Sequence, residues 1–143
     1  MEILRKYGDG VMCVLPSDHY IKKTDVYKKV VADAIRTAEE TDALVTLGIQ
    51  PTYPSTGYGY ICHEEEKAAG GFWAVRSFVE KPNLEKAKEY ILSGEYLWNS
   101  GMFFWKASVI MRYFEELLPE VYACLQKIGG AMGTEEEAKV IQE

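Results

Sequence analysis

Two apolar runs separated by an amphipathic segment dominate the first third of the chain. The runs VMCVLP at 11–16 and ALVTLGI at 43–49 are nearly continuous, which is typical of strands buried on both faces of a parallel sheet. Between them, apolar positions recur at helical spacing: Val26, Val30, Ala34 and Ala38. Thr24 or Asp25 is expected to cap this helix. The pattern of residues 11–49 therefore predicts a β-α-β unit with two parallel strands.

The middle of the chain predicts a hairpin followed by another helix. YGYICHEEE at 58–66 and GFWAVRSFVEKP at 71–82 have the composition of two strands joined by a polar turn at 65–71. LEKAKEYILSG follows as a helix that ends at Gly94. This order of elements is typical of an α/β sheet with an inserted antiparallel part.

Glycine and proline divide both ends of the chain. ILRKYGDG predicts the last turn of a helix closed by Gly8 and Gly10. YLWNSGMFFWKA at 96–107 predicts a strand pair or one bent strand, and the segment 108–128 predicts two helices divided at Pro119. Three glycines are then expected to loosen the chain: Gly129, Gly130 and Gly133.

Composition limits the kinds of partner that the chain can bind. Its 143 residues, 48% of them hydrophobic, suffice for one globular domain. With 22 acidic and 16 basic residues, the chain has no overall basic field to attract nucleic acid or an anionic membrane. The apolar runs are far shorter than the roughly 20 residues of a membrane span, and the N-terminus shows no signal core. We expect a cytoplasmic protein.

The cysteines and histidines do not form a recognisable site pattern. Cys13, Cys62 and Cys124 are odd in number and widely spaced, so we expect reduced, mostly buried thiols rather than disulfides or a zinc site. His19 and His63 lie in separate segments, and neither belongs to a set of ligands with the spacing of a zinc site, so they make a weak case for zinc.

Candidate chemistry lies just after the predicted strands, where ligands bind in open α/β sheets. Asp18 in LPSDH could offer a carboxylate to Mg²⁺, although the local sequence alone favours Ser17 or Asp18 shaping a turn or capping a helix. Gly57 and Gly59 could adopt backbone angles closed to other residues and admit a sugar or phosphate to the main chain, or could form a bulge.

Two further strand ends carry polar groups. Glu80 and Lys81 precede Pro82, and adjacent side chains can share one ligand only if the strand ends or twists there; otherwise they form an exposed charge pair. Asn99, in WNSG, has both donors and an acceptor with which to bind sugar hydroxyls, or it lies in a simple turn.

Taken in order, these segments resemble the motifs of mannose-1-phosphate guanylyltransferases. The segments are VLPSDHYI, TLGIQPTYPSTGYGYI, FVEKP and YLWNSGMFFWKASVI. The resemblance implies an α/β, Rossmann-like nucleotide-diphospho-sugar transferase fold, truncated here, with a mixed sheet and inserted antiparallel strands. It also implies in-line attack of mannose 1-phosphate on the α-phosphorus of GTP, giving GDP-mannose and pyrophosphate.

The resemblance implies a role for each candidate residue. Asp18 would hold the catalytic Mg²⁺, and Lys81 would neutralise the sugar phosphate. The sugar would contact the remaining positions: Gly57, Tyr58, Gly59, Glu80 and Asn99.

The chain also departs from this family. It contains neither the N-terminal Gly-rich signature with an Arg nor a second metal-binding Asp. Residues 1–143 are therefore expected to be one partial domain that is inactive alone, binds sugar phosphate weakly and self-associates through an exposed apolar edge. Two alternatives remain: a non-catalytic module that binds a sugar nucleotide or partner chain, or a nucleotidyltransferase for another sugar 1-phosphate.

Overall fold

The computed structural model describes residues 1–68 and 70–142. Its elements, in chain order, are α1 Glu2–Tyr7, β1 Val11–Val14, α2 Thr24–Thr41, β2 Val45–Ile49, β3 Tyr60–Lys67, β4 Trp73–Val79, α3 Leu84–Ser93, β5 Tyr96–Lys106, α4 Ala107–Leu117, α5 Pro119–Ala131 and α6 Glu137–Gln142. The mixed α/β architecture predicted from the sequence is confirmed. The segment at 96–107, left open between a strand pair and one strand, forms the single long strand β5.

Strand β5 organises the sheet. Both β1 and β2 pair with it in the antiparallel direction, so they run parallel to each other, as the predicted β-α-β unit requires. Phe103 and Phe104 pair with both strands, which places β1 and β2 on opposite sides of β5. The two parallel strands are therefore not neighbours, and every pairing among the described strands is antiparallel.

The predicted hairpin forms from β3 and β4 and attaches to the first half of β5. Tyr60 pairs with Trp98 and Cys62 pairs with Tyr96. Helix α3 covers this region, where Tyr60, Ala87 and Trp98 form a buried cluster. Its predicted end is confirmed, because Gly94 adopts the left-handed conformation with φ of 73°.

The first two strands are less buried than the sequence predicted. Val14 is 41% exposed and Ile49 is 47% exposed. The prediction of burial on both faces is wrong because the core that α2 completes covers each strand only in part, and no residue of β1 or β2 is buried. The cysteine prediction is wrong in the same respect: all three thiols are free, but only Cys62 is buried, whereas Cys13 and Cys124 are exposed.

Helix α2 packs through a face shifted from the predicted one. Ala34 and Ala38 lie in the main core with Met102 and Phe104, as their spacing indicates. The rest of the packed face is formed by Tyr27, Val31 and Ile35. Val26 and Val30 are instead exposed, at 60% and 41%. The cap position is Lys23 rather than Thr24 or Asp25, and no side chain caps the helix there.

The C-terminal helices divide at Pro119 as predicted, since Pro119 is the first residue of α5. The expected loosening at Gly129 and Gly130 is wrong, because both lie inside α5. A Cβ at Gly129 would overlap the end of the Met1 side chain, which precedes α1. Because that end is flexible and can move aside, the contact between Met1 and α5 does not require a glycine.

Candidate functional site

A bulge in β5 lies at the centre of the predicted site. Between Thr46 and Gly48 of β2, the partner residue on β5 moves from Phe103 to Asn99, so four steps of β5 oppose two steps of β2. Gly101 adopts φ of 72° at this irregularity, a conformation that favours glycine. Bulges of this kind redirect side chains and interrupt strand pairing.

Side chains replace the ladder hydrogen bonds that the bulge removes. The Gly101 amide donates to Asn99 Oδ1 at 3.2 Å, and the Met102 amide donates to Ser100 Oγ at 3.2 Å. Thr46 Oγ1 lies 3.0 Å from the Met102 carbonyl and 3.1 Å from Asn99 Oδ1. The carbonyl oxygen of Asn99 is thus occupied within the protein, whereas its Nδ2 has no partner among the described residues.

The loop at 50–59 is tied directly to the bulge. The backbone amide of Asn99 donates a hydrogen bond to the backbone carbonyl of Gly59 at 2.8 Å. Inside the loop, the Tyr60 hydroxyl donates to the Ser55 carbonyl at 2.8 Å, and the Gly57 amide donates to Ser55 Oγ at 3.2 Å. These bonds hold Gly59 beside Asn99.

The two loop glycines differ in their surroundings. Neither has a positive φ, so the expected special backbone angles are absent. A Cβ at Gly59 would lie 2.7 Å from Glu80 Oε2 and 3.0 Å from Phe78 Cζ, whereas a Cβ at Gly57 would meet only Ser55 Oγ at 3.8 Å. Gly59 is therefore required for the close approach of Glu80, and the described residues place no such demand on Gly57.

The strand ends just before Glu80 and Lys81, which is the condition under which their adjacent side chains can share one ligand. Strand β4 ends at Val79, and Lys81 takes the left-handed conformation with φ of 44°. Lys81 Nζ lies 3.4 Å from Glu80 Oε1, and both side chains are largely exposed. The chain therefore turns so that a carboxylate and an ammonium lie together beside Gly59, at a typical cost of about 1–2 kcal/mol for a non-glycine residue in this conformation.

Three aromatic residues that the sequence analysis did not combine meet at this loop: Tyr53 and Tyr58 belong to it, and Trp98 lies on β5. The rings of Tyr53 and Tyr58 each meet Trp98 edge-on, with centroids 5.0 Å apart. Hydrogen bonding to the Tyr53 side chain raises the pKa of Tyr58. Trp98 is 9% exposed, and its Nε1 has no partner among the described residues. Sequence separation hid this cluster, because only strand pairing brings Trp98 to the loop.

Asp18 follows β1 at the same end of the sheet. Because Val14 pairs with Phe103 in the antiparallel direction, the residues after Val14 run towards the bulge at Gly101. Pro16 lies next to that bulge, since a Cβ at Gly101 would be 3.4 Å from Pro16 Cγ. Asp18 is exposed, and its carboxylate accepts no hydrogen bond from the described residues. The structure therefore brings Gly59, Glu80, Lys81 and Asn99 into one connected group and leaves Asp18 without a described contact to it.

The metal-binding capacity of the site is small. Within residues 1–68 and 70–142, no group of three or more His, Cys, Asp or Glu side chains could hold a metal ion. Zinc sites normally need three or four such ligands, so the histidines stay unassigned. The free carboxylate of Asp18 does fit Mg²⁺, which is commonly held by one or two carboxylates together with substrate phosphates.

Among the described residues, no helix has both the length and the apolar composition that crossing a membrane requires.

Curated relatives match most of the chain. Xanthan biosynthesis protein XanB from Xanthomonas campestris is 50% identical over 117 residues, which are 82% of this chain and 24% of that protein. Mannose-1-phosphate guanylyltransferase from Sinorhizobium fredii is 49% identical over 118 residues, which are 82% of this chain and 22% of that protein. The chain thus spans less than a quarter of the length of these two relatives.

A solved structure shows the same fold. The crystal structure of the Thermus thermophilus protein described as mannose-1-phosphate geranyltransferase superposes with a TM-score of 0.82 and 31% sequence identity. The superposition covers 98% of this chain and 40% of the other. The sequence model of the family described as nucleotidyl transferase matches residues 1–138. The family model, the relatives and the solved structure agree, so the chain belongs to the nucleotidyl transferase family of enzymes.

Proposed function

We propose that this chain carries the sugar-phosphate side of a mannose-1-phosphate guanylyltransferase, which converts GTP and mannose 1-phosphate to GDP-mannose and pyrophosphate. The pair formed by Glu80 and Lys81 beside Gly59 is the observation that carries the proposal. It combines a hydrogen-bond acceptor for sugar hydroxyls with a cation for a phosphate. A sugar phosphate needs both groups at neighbouring positions.

Each residue of the connected group has a distinct task in this proposal. Glu80 accepts hydrogen bonds from mannose hydroxyls, and Lys81 neutralises the phosphate that attacks the nucleotide. Asn99 donates from Nδ2, and the main chain of Gly57, Tyr58 and Gly59 lies along the sugar. Holding the attacking phosphate in line accounts for much of the catalysis in phosphoryl transfer.

The nucleotide side of the reaction depends on groups beyond this set. Asp18 would hold Mg²⁺, and the ion would neutralise charge on the phosphates. These 143 residues contain no Gly-rich segment with an Arg for the nucleotide phosphates, so we expect binding without turnover from this chain alone. Binding is accordingly the property to measure.

Calorimetric titration of the chain with GDP-mannose and Mg²⁺ tests the proposal. We expect saturable heat that Asp18→Ala and Lys81→Ala both abolish. Lys88→Ala is the matched control, because Lys88 is an exposed lysine on α3 and lies outside the site. Its titration should equal that of the unchanged chain.

Two results would contradict the proposal. One is absence of heat from a chain that circular dichroism shows to be folded. The other is heat that the Asp18 and Lys81 substitutions leave unchanged. Equal affinity for GDP-glucose would instead redirect the assignment to a nucleotidyltransferase for another sugar 1-phosphate.

A further inference from the structure

Thr46 contacts the bulge in β5 through its hydroxyl group. It lies on β2 opposite Phe103, and its side chain is half-buried. The Oγ1 atom is within hydrogen-bond distance of two acceptors, the Met102 carbonyl at 3.0 Å and Asn99 Oδ1 at 3.1 Å. A hydroxyl has one proton, so these two acceptors share it.

The hydrogen bonds around Asn99 determine which way its carboxamide points. The Gly101 amide can only donate, and it lies 3.2 Å from the Asn99 side chain. The atom facing Gly101 and Thr46 must therefore be the oxygen, which leaves the NH₂ group on the other side. The described residues offer this NH₂ group no hydrogen-bond partner, and it is not buried, so solvent or a ligand can reach it.

We infer that Thr46 is a positioning residue for sugar-phosphate binding: its hydroxyl holds the Asn99 carboxamide so that Nδ2 faces the substrate. The inference rests on the proposed function. In consequence, Asn99 serves the substrate as a donor to sugar or phosphate oxygens, and its acceptor is not available to substrate hydroxyls. Acceptance of hydroxyl protons falls to Glu80.

The free chain provides a first test that needs no ligand. Three-bond couplings measured by NMR report whether the χ1 angle of Asn99 is single or averaged. We expect one χ1 rotamer in the unchanged chain and in Thr46→Ser, which keeps the hydroxyl. Thr46→Val keeps the shape and loses the hydroxyl, so averaged couplings are expected. Thr46→Ala is the second hydroxyl-free variant if the valine chain does not fold.

Affinity for mannose 1-phosphate provides the second test. We expect Thr46→Val to weaken binding about threefold to tenfold, the change that corresponds to one hydrogen bond of typical net strength. Thr46→Ser should restore most of the affinity. Thr41→Val is the matched control, because the Thr41 hydroxyl bonds to the Thr37 carbonyl in α2, outside the site. It should leave affinity unchanged.

A double-mutant cycle separates positioning from a general structural effect. If Thr46 acts through Asn99, Thr46→Val will cause no further loss of affinity in an Asn99→Ala background. An equal loss in both backgrounds would overturn the inference. So would unaveraged Asn99 couplings in Thr46→Val, or unchanged affinity in that variant.

Failure of the proposed function is distinguishable from failure of this inference. If the unchanged, folded chain does not bind mannose 1-phosphate, the proposed function is overturned. The three-bond couplings of Asn99 then test only whether Thr46 positions the Asn99 side chain. Averaged couplings in Thr46→Val support this role, and a single χ1 rotamer overturns it.

Discussion

Gly57 and Gly59 look equivalent in the sequence but face different neighbours. The absent side chain of Gly59 leaves room for Glu80 Oε2, which would lie 2.7 Å from a Cβ. The space at Gly57 is open apart from Ser55 Oγ at 3.8 Å. Since real Cβ contacts below 3.0 Å are essentially never seen, Gly59→Ala must displace the Glu80 carboxylate.

We therefore predict that Gly59→Ala weakens GDP-mannose binding by about tenfold or more, because the displaced Glu80 carboxylate loses its hydrogen bonds from sugar hydroxyls, and a hydrogen bond to a charged group contributes about 1.5–3 kcal/mol. Gly57→Ala is the control and should bind nearly as well as the unchanged chain. Titration calorimetry on both variants measures the difference. Equal affinities for the two would show that the position of Glu80 does not matter.

Lys81 combines a functional charge with an unfavourable backbone conformation. At φ of 44°, a lysine pays a cost that glycine avoids. We predict that Lys81→Gly raises the free energy of unfolding by about 1 kcal/mol while binding of GDP-mannose is lost. Lys81→Ala should lose binding equally without this gain in stability, since alanine keeps a Cβ. Urea denaturation and calorimetry together test this, and a less stable glycine variant would count against strain at Lys81.

At the scale of the elements, the first backbone amides of α4 are hydrogen-bonded to the segment that precedes β1. The Ala107 amide donates to the Gly10 carbonyl at 3.0 Å, and the Ser108 amide donates to Asp9 Oδ1 at 3.0 Å. The Ser108 hydroxyl also donates to Asp9 Oδ2. Asp9 thus caps a helix that begins almost a hundred residues later in the chain, and it joins β1 to α4.

The hydrogen bonds from Ser108 lower the pKa of Asp9 below its ordinary value of 3.8. A carboxyl with a lower pKa in the folded chain stabilises it above the unfolded-state pKa, and that contribution is lost as pH falls through the folded-state value. We predict that Asp9→Ala costs about 0.5–1 kcal/mol at pH 7, the lower part of the range for a lost helix cap because Asp9 is exposed.

The difference in unfolding free energy between the unchanged chain and Asp9→Ala should shrink as pH falls below the ordinary carboxyl pKa of 3.8, because the Asp9 carboxylate is then progressively protonated. Urea denaturation at a series of pH values measures it. Asn83→Ala is the control, because Asn83 caps α3 through a side chain that carries no charge, so its effect on stability should not follow pH in this way. A difference independent of pH would exclude the carboxylate as the stabilising group.

The elements themselves were largely predictable, because their signals are local. The end of α3 at Gly94 and the division at Pro119 follow from the backbone limits of glycine and proline. The packed face of α2 was not fully predictable. Two overlapping apolar stripes have helical spacing, and the sheet alone selects the one through Tyr27 and Val31 over the one through Val26 and Val30.

At the scale of the whole molecule, β1 presents a free edge with apolar side chains. Among the described strands it pairs with β5 alone. Val14 and the adjoining Leu15 are 41% and 45% exposed. Unpaired strand edges with apolar side chains favour association with another chain.

We predict that the chain self-associates through this edge. Light scattering after size exclusion should give a mass above 16.2 kDa that rises with protein concentration. Val14→Lys should shift the protein towards monomer, because a lysine on an edge strand opposes pairing. Leu92→Lys is the control, since Leu92 is 86% exposed on α3, away from the sheet. A sharp monomer peak from the unchanged chain would contradict the prediction.

The sequence by itself determined the kind and order of the elements up to α5, the family resemblance and the positions where the candidate groups follow strands. These depend on spacing and on backbone limits within a few residues. Whether residues 1–143 form one partial domain stays a prediction. The tertiary structure decided which groups meet: the placement of β5 between β1 and β2, the approach of Glu80 to Gly59 and the hold of Thr46 on Asn99. Such contacts join residues far apart in the chain, and they arise only when strand pairing and a bulge set the register of the sheet.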